Sequence, residues 1–293
     1  MWLPGIMRLR NPLFAPGDSR RKLDKALASA ADAVILDLED SVAPTAKAAA
    51  RAEVAALLAS GPGRPGLVVR VNPRDTAWYL ADLAAVVPGR PDAVLLPKCT
   101  GPGDLIALDH HLEALEAASG LDRGAVRVLA LVTETAASLA RMDYAGVTPR
   151  LAALLFGAED LAADLGIAPR DAGGAHPAPI AAARAAVVTA AASARVPALD
   201  TPWPDPRDPA GFAAEAAAAL RDGFAGKLCI HPDQVAPAAQ AFTPSPERVA
   251  WARAVRDLFA ASTGAGVLTL DGKMIDRPHL KLAERILAGA PGE

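Results

Sequence analysis

The chain has 293 residues, 52% of them hydrophobic, with 30 basic against 33 acidic side chains, a formal net charge of −3 and a pI of about 6.0. That balance leaves no basic surface for nucleic acid or an anionic membrane, and charges, prolines or glycines interrupt every apolar run before it reaches the roughly 18 residues of a membrane span. Met1-Trp2-Leu3-Pro4-Gly5 has no secretory signal pattern, so a cytoplasmic location is expected, and two cysteines, Cys99 and Cys229, read as buried reduced thiols and not as a disulfide framework.

Short β-branched or leucine-rich runs, each followed by an alanine-rich helical stretch, recur along the chain. Strands are predicted near Arg10–Phe14, Ala33–Leu38, Leu67–Val71, Ala93–Leu96, Val128–Val132, Ala153–Phe156, Pro197–Leu199 and Lys227–Ile230. The first helix follows Asp18-Ser19, a candidate N-cap, and carries Leu23, Ala26 and Leu27 on one face. Later helices are predicted near Ala46–Leu58, Asp104–Ala118, Pro179–Ala194 and Asp208–Leu220, with Gly173-Gly174 and Pro202–Pro209 as loops over a barrel mouth. Continuously apolar strands alternating with helices suit a closed parallel (β/α)8 TIM barrel. A doubly wound sheet is the alternative, but no G-x-G-x-x-G follows the first strand. Beyond residue 242 the pattern changes to a helix over Glu247–Ala261, a Gly264–Gly266 hinge, a strand-like Val267–Leu270 and a final helix from Arg277. The expected organisation is a catalytic barrel over residues 1–242 and a helical C-terminal segment over 243–293.

Catalytic groups in such barrels stand at the carboxyl ends of strands. Charged residues gather there: Asp37-Leu38-Glu39-Asp40, Arg70-Val71-Asn72-Pro73, Pro97-Lys98, Glu134-Thr135 and Gly157-Ala158-Glu159-Asp160-Leu161. Any one could be a solvated loop charge, and Asp40 could cap the helix after strand two. Five strands in succession point to a site of carboxylates with one Arg and one Lys. Glu134 and Asp160 are placed to share a hard divalent cation, and oxygen ligation without a His or Cys cluster points to Mg²⁺. His110 and His111 read as helix surface, and His231 lies at a strand end. Arg70 offers a planar fork to a substrate carboxylate, with an Asp or Glu partner as the structural alternative. The turn at Gly157-Ala158-Glu159-Asp160 opens a helix, and its N–H groups would seat an anionic oxygen.

These segments, together with Leu13-Phe14-Ala15-Pro16-Gly17-Asp18-Ser19, Lys227-Leu228-Cys229-Ile230-His231-Pro232 and Asp271-Gly272-Lys273-Met274-Ile275-Asp276, resemble in order the citrate lyase β-subunit-like family of the HpcH/HpaI aldolase/citrate lyase superfamily, which includes malyl-CoA and citramalyl-CoA lyases. Ala15, where many relatives carry Val, is a small apolar departure. The resemblance implies a Mg²⁺ site at Glu134 and Asp160, and a substrate contact at Arg70. It places acidic positions around the metal's waters at Asp37, Glu39 and Asp40. It makes Asp276 an acid or base delivered to a neighbouring subunit's site by the C-terminal segment, in a homotrimer or hexamer.

The implied reaction cleaves, or forms, a β-hydroxyacyl thioester such as citryl-, malyl- or citramalyl-CoA or the corresponding acyl-carrier-protein ester. The products are an α-keto acid (oxaloacetate, glyoxylate or pyruvate) and the enolate of a short acyl thioester. A Lewis acid favours loss of the hydroxyl proton, Arg70 would stabilise enolate charge, and Asp276 would protonate the enolate carbon or cap the last helix. Arg20, Arg21, Lys22 and Lys25 are candidates for CoA phosphates or a carrier protein, or simply a solvated helix face. A thioester hydrolase of the malyl-CoA thioesterase or malate synthase type is the alternative on the same scaffold. A silent carrier-binding subunit is a third possibility, disfavoured while both metal carboxylates remain.

Overall fold

A computed structural model describes residues 7–59, 66–262 and 266–290. In chain order its regular elements are β1 (Leu13–Pro16), α1 (Arg20–Leu27), β2 (Ala33–Asp37), α2 (Lys47–Leu58), β3 (Gly66–Arg70), α3 (Tyr79–Val86), β4 (Ala93–Leu96), α4 (Pro102–Ala118), β5 (Arg127–Leu131), α5 (Ala136–Leu139) and β6 (Leu151–Leu155). They continue as α6 (Ala158–Leu165), α7 (Ala178–Ala194), β7 (Ala198–Asp200), α8 (Pro209–Asp222), β8 (Gly226–Lys227), α9 (Val235–Phe242), α10 (Pro246–Ala261), β9 (Val267–Leu270), β10 (Lys273–Asp276) and α11 (Arg277–Gly289). Residues 7–239 form one compact unit, and the described residues from 240 onward form a second. Among the described residues no helix is long and apolar enough to cross a membrane.

The fold of the first unit is α/β. Strands β1 to β8 make one sheet in sequential order, every pairing parallel. Strands β2, β4 and β6 are buried along their whole length, as expected of apolar segments covered on both faces. Alternate residues cluster on one face, among them Ala33, Ile35, Val68, Leu95, Leu129 and Leu155, while Val34, Leu36, Val69, Val94 and Leu154 are buried on the other. Each such Leu, Ile or Val contributes about 1.5–3 kcal/mol by leaving water. The same two-residue period decides where the charges go: Asp37 follows Ile35 by two positions and Arg70 follows Val68 by two, so both continue the Ile35 and Val68 face at the carboxyl end.

The sheet curls until β8 meets the chain before β1. Lys227 N–H donates to the Arg10 carbonyl at 3.0 Å, Cys229 N–H to Pro12 at 2.8 Å, and Phe14 N–H to Cys229 at 2.9 Å, with an isolated parallel bridge Leu13↔Cys229. A Cβ on Gly226 would stand 1.9 Å from the Leu9 carbonyl oxygen, so this approach needs glycine. Ladders at this side are short, two residue pairs each for β6–β7 and β7–β8. Buried charge reinforces them: Lys227 Nζ, wholly buried, donates to Thr201 O at 2.6 Å and Asp200 Oδ2 at 3.3 Å and also meets Glu215, while Arg184 Nε donates to Asp200 Oδ1 at 2.9 Å.

Several boundaries differ from the sequence reading. The first strand begins at Leu13, not Arg10, because the Arg10 and Pro12 carbonyls serve the other side, accepting from residues 227 and 229. The last two strands are shorter than predicted or shifted, at Ala198–Asp200 and Gly226–Lys227. Ser19 occupies the N-cap of α1 without a side-chain cap bond. Asp40 caps nothing: a 3-10 turn at Pro44–Ala46 intervenes, and Ala46 stands at the N-cap of α2. Helices α3, α5 and α9 and strand β10 escaped prediction, whereas the helix expected after Gly157 is α6.

In the second unit, α10 and α11 bury Ala252, Val255, Ala283, Ile286 and Leu287 together with Ile275 of β10. Strands β9 and β10 form an antiparallel hairpin, Lys273 opposite Leu270. In the predicted Gly264–Gly266 hinge, residues 264 and 265 lie outside the described residues.

Candidate active site at the carboxyl ends of the strands

Asp37 and Arg70 are direct partners in the β2–β3 register. Arg70 donates from Nε to Asp37 Oδ1 and from Nη2 to Oδ2, both at 2.7 Å, and its Nη1 lies 2.8 Å from Glu39 Oε2. The guanidinium also stacks on Phe14 of β1, 4.8 Å from the ring centroid. Burial works against the Asp37 charge, but the bonds from Arg70 outweigh it and hold the carboxyl below the usual carboxylate range. Burial likewise opposes the charge of Arg70, and Asp37 overcomes it, raising the guanidinium pKa. Of the two readings open for Arg70, the carboxylate partner is therefore present.

Strand β4 is followed by Pro97 and by Lys98, whose backbone is left-handed at φ 49°. In this conformation the Lys98 N–H donates to Glu134 Oε2. Its ammonium donates to Glu39 Oε1 at 2.5 Å and Asp40 Oδ2 at 3.1 Å and lies 3.6 Å from Asp160 Oδ1. A strained non-glycine backbone of this kind persists where its surroundings over-determine it. Lys98 thus gathers the ends of β2, β4, β5 and β6.

Glu134 is 4% exposed. Burial, then the neighbouring charges of Glu39 and Asp160, push its carboxyl up to about 8. Burial also raises Glu39, against the pull of Arg70 and Lys98. Backbone packing fixes Glu134 from the β6 side: a Cβ on Gly157 would fall 2.9 Å from Glu134 Cγ.

The turn opening α6 differs from the expected free anion seat. Gly157 N–H donates to Thr133 Oγ1 at 3.0 Å, and Ala158, fully buried, donates to Thr201 Oγ1 at 3.3 Å. Glu159 points elsewhere, its carboxylate 2.8 Å from Arg170, while Asp160 faces Lys98. The structure therefore brings together Asp37, Glu39, Asp40, Arg70, Lys98, Glu134 and Asp160, and leaves Glu159 outside the cluster. Thr133 and Thr201, which serve the turn, carried no charge to reveal them in the sequence.

Asp276 lies in the second unit, at the junction of β10 and α11, where it caps the helix. Its N–H points to His279 Nδ1 at 3.2 Å, and its Oδ1 lies 2.6 Å from the same nitrogen. Of the basic candidates on α1, Arg20 is tied to Asp24 at 2.8 Å and Glu53 at 3.1 Å, while Arg21, Lys22 and Lys25 are exposed. His111 packs edge-on against Tyr79, and His231 accepts from Asp233 N–H. Cys99 and Cys229 are buried free thiols, pushed up to about 12 chiefly by burial; Cys99 Sγ lies against Gly101 O and its N–H donates to Leu131 O.

Among the described residues, no three His, Cys, Asp or Glu side chains stand as a preformed ligand set. The donor chemistry nevertheless fits a hard cation. Burial, with the charges of Glu39 and Asp160 added to it, raises the Glu134 carboxyl above its ordinary range, a cost that a cation would relieve, and Mg²⁺ is commonly bound by one or two carboxylates with waters completing its shell.

The HpcH/HpaI aldolase/citrate lyase family model matches residues 10–232, which span every strand end just described. The chain belongs to the HpcH/HpaI aldolase/citrate lyase family. It is 36% identical to an L-malyl-CoA/beta-methylmalyl-CoA lyase of Cereibacter sphaeroides, over 96% of this chain and 94% of that protein. It is 34% identical to the citrate lyase subunit beta of Escherichia coli, over 96% and 93%. Among solved structures it matches protein CitE of Mycobacterium tuberculosis in complex with magnesium, acetoacetate and coenzyme A, with a TM-score of 0.73 and 34% identity over 98% of each chain.

Proposed function

We propose that this family member is a Mg²⁺-dependent carbon–carbon lyase acting on a β-hydroxyacyl thioester linked to CoA or to an acyl carrier protein. The observation that carries the reading is the cluster of Glu39, Glu134 and Asp160 around Lys98 and Arg70 at the carboxyl ends of the strands. The relatives named as malyl-CoA lyase and citrate lyase subunit beta, and the neighbour solved with magnesium, support the reaction class and the ion. The finer reading of the fold is a (β/α)8 barrel, supported by the bonds from residues 227 and 229 to residues 10 and 12.

Glu134 and Asp160 would hold the cation, which supplies Lewis-acid stabilisation of negative charge developing on a substrate oxygen. Asp37 fixes the Arg70 fork, which then presents its remaining N–H edge to a substrate carboxylate or the thioester region and stabilises enolate charge. Glu39, Asp40 and Lys98 orient the ligating carboxylates. With the Ala158 N–H taken by Thr201 and serving only to fix the turn, Glu159 and Asp160 would offer first-turn N–H groups of α6, which a helix cannot satisfy internally, to the small keto acid. Asp276 gives a proton to the enolate carbon during cleavage, or removes one from the acyl methyl group during condensation. In this reading residues 243–293 carry Asp276 to a neighbouring subunit, in a homotrimer or hexamer.

The test is a Mg²⁺ titration with malyl-, citramalyl-, β-methylmalyl- and citryl-CoA and the citryl carrier-protein ester, reading keto acid and free thiol separately. Metal-dependent keto acid release, lost in Glu134→Ala, is expected. Activity indifferent to a chelator overturns the reading, and free thiol without keto acid replaces it with thioester hydrolysis.

A further inference from the structure

We propose that His279 relays protons between solvent and Asp276, a positioning role resting on the reading of Asp276 as acid or base. The two residues are three apart at the start of α11, so the first helical turn, not a free loop, sets their contact. Asp276 Oδ1 and His279 Nδ1 are 2.6 Å apart, a separation that one shared hydrogen bridges. The Asp276 backbone N–H, 3.2 Å from the same nitrogen, competes for it. When Nδ1 accepts from the backbone, the shared hydrogen belongs to the carboxyl, and Asp276 is an acid. When Nδ1 carries the hydrogen, Asp276 is a carboxylate and a base. One short contact thus accommodates both protonation states that the two reaction directions need, and the imidazole, 37% exposed, reaches water.

The proton count closes. In cleavage the Asp276 O–H bond breaks as a C–H bond forms at the enolate carbon, leaving a carboxylate. The neutral ring, Nε2–H while the carboxyl holds its proton, first exchanges that proton through water for one at Nδ1. The Nδ1–H tautomer then hands its proton to Oδ1 while Nε2 takes one from an acid in solvent, which restores the starting ring and carboxyl, and in condensation the same transfers run backwards. No electrons change hands.

The competing account is a helix cap alone, since His279 occupies the position from which Gln or Glu normally reaches back to the N-cap N–H. Gln at 279 keeps that cap but relays no proton. The experiment measures deuterium uptake into the methyl group of acetyl-CoA in D₂O with Mg²⁺, alongside the thermal midpoint, for wild type, His279→Gln, His279→Ala and Asp276→Asn. Exchange is expected to fall roughly 100-fold in both His279 variants and in Asp276→Asn. His279→Gln should keep the wild-type midpoint, and free imidazole should restore exchange to His279→Ala. Wild-type exchange in His279→Gln, or no imidazole rescue, overturns the relay while the role of Asp276 stands. Wild-type exchange in Asp276→Asn, or none in the wild type, overturns the role of Asp276 and the relay with it.

Discussion

Arg70 and Asp37, opposite one another on adjacent strands, are locked by two hydrogen bonds of 2.7 Å. Because Asp37 is almost wholly buried, removing its charge leaves a buried guanidinium with Glu39 as its remaining ionic partner. Breaking one side of a buried pair costs about 3–5 kcal/mol. Asp37→Asn is therefore expected to lower the urea midpoint by the equivalent of about 3 kcal/mol, and to reduce kcat through a misaimed Arg70. A stability change under about 1 kcal/mol would show that Glu39 alone suffices.

Gly157 approaches Glu134 so closely that even a methyl group must displace the carboxyl side chain. Gly157→Ala should destabilise by about 1–3 kcal/mol. It should also raise the Mg²⁺ concentration needed for half-maximal thermal stabilisation. An unchanged Mg²⁺ dependence would separate the glycine from the metal site proposed at Glu134.

Lys98 offers its ammonium to Glu39, Asp40 and Asp160. Lys98→Met leaves these carboxylates to repel one another. In a chelator its melting temperature should fall below wild type, and added Mg²⁺ should produce a larger rise than in wild type. Equal rises in both proteins would mean that Lys98 and a bound cation do not share the same charges.

Glu215 sets an acid limit to stability. Burial opposes its charge, but His176, Lys227 and Arg170 together bring the carboxyl down to about 2 from its ordinary 4.5. The unfolded chain thus takes up the proton first, and the associated stability is complete above about pH 4.5 and lost as the pH falls towards 2. Glu215→Gln should lower stability at neutral pH and flatten this acid limb, as followed by urea denaturation from pH 6 down to pH 3.

The order of strands and the identity of the site's charges were readable because both follow a simple period. Buried parallel strands are continuously apolar, so Ala33–Asp37 and Ala93–Leu96 stand out, and the polar residues that end them fall at the carboxyl end of the sheet. Directions of side chains were not readable. Glu159 and Asp160 are adjacent, yet one turns to Arg170 and the other to Lys98, a division made by the loop before α7. The left-handed turn at Lys98 has no glycine to announce it. Strand β7 was placed one residue early, and β8 was overextended because its neighbours Leu228, Cys229 and Ile230 are apolar, whereas it is the Lys227 ion pairs that hold this part of the sheet. Strand β10 was hidden by the polar Lys273 and Asp276 at its two ends. The pairing of His279 with Asp276 was available as a cap pattern with an unusual residue in its third position.

Cys99 directly follows the lysine that organises the carboxylates, and its thiol is held inward and protonated up to about 12. Thiolates, not thiols, attack acyl thioesters, so an exposed and ionised cysteine at this position would strip the acyl group from a thioester substrate by exchange. Burying the sulfur against the Gly101 carbonyl removes that competing nucleophile. Around the electrophilic carbonyl of the proposed substrate this would leave oxygen and nitrogen groups that hold charge and move protons without forming a bond to the acyl carbon.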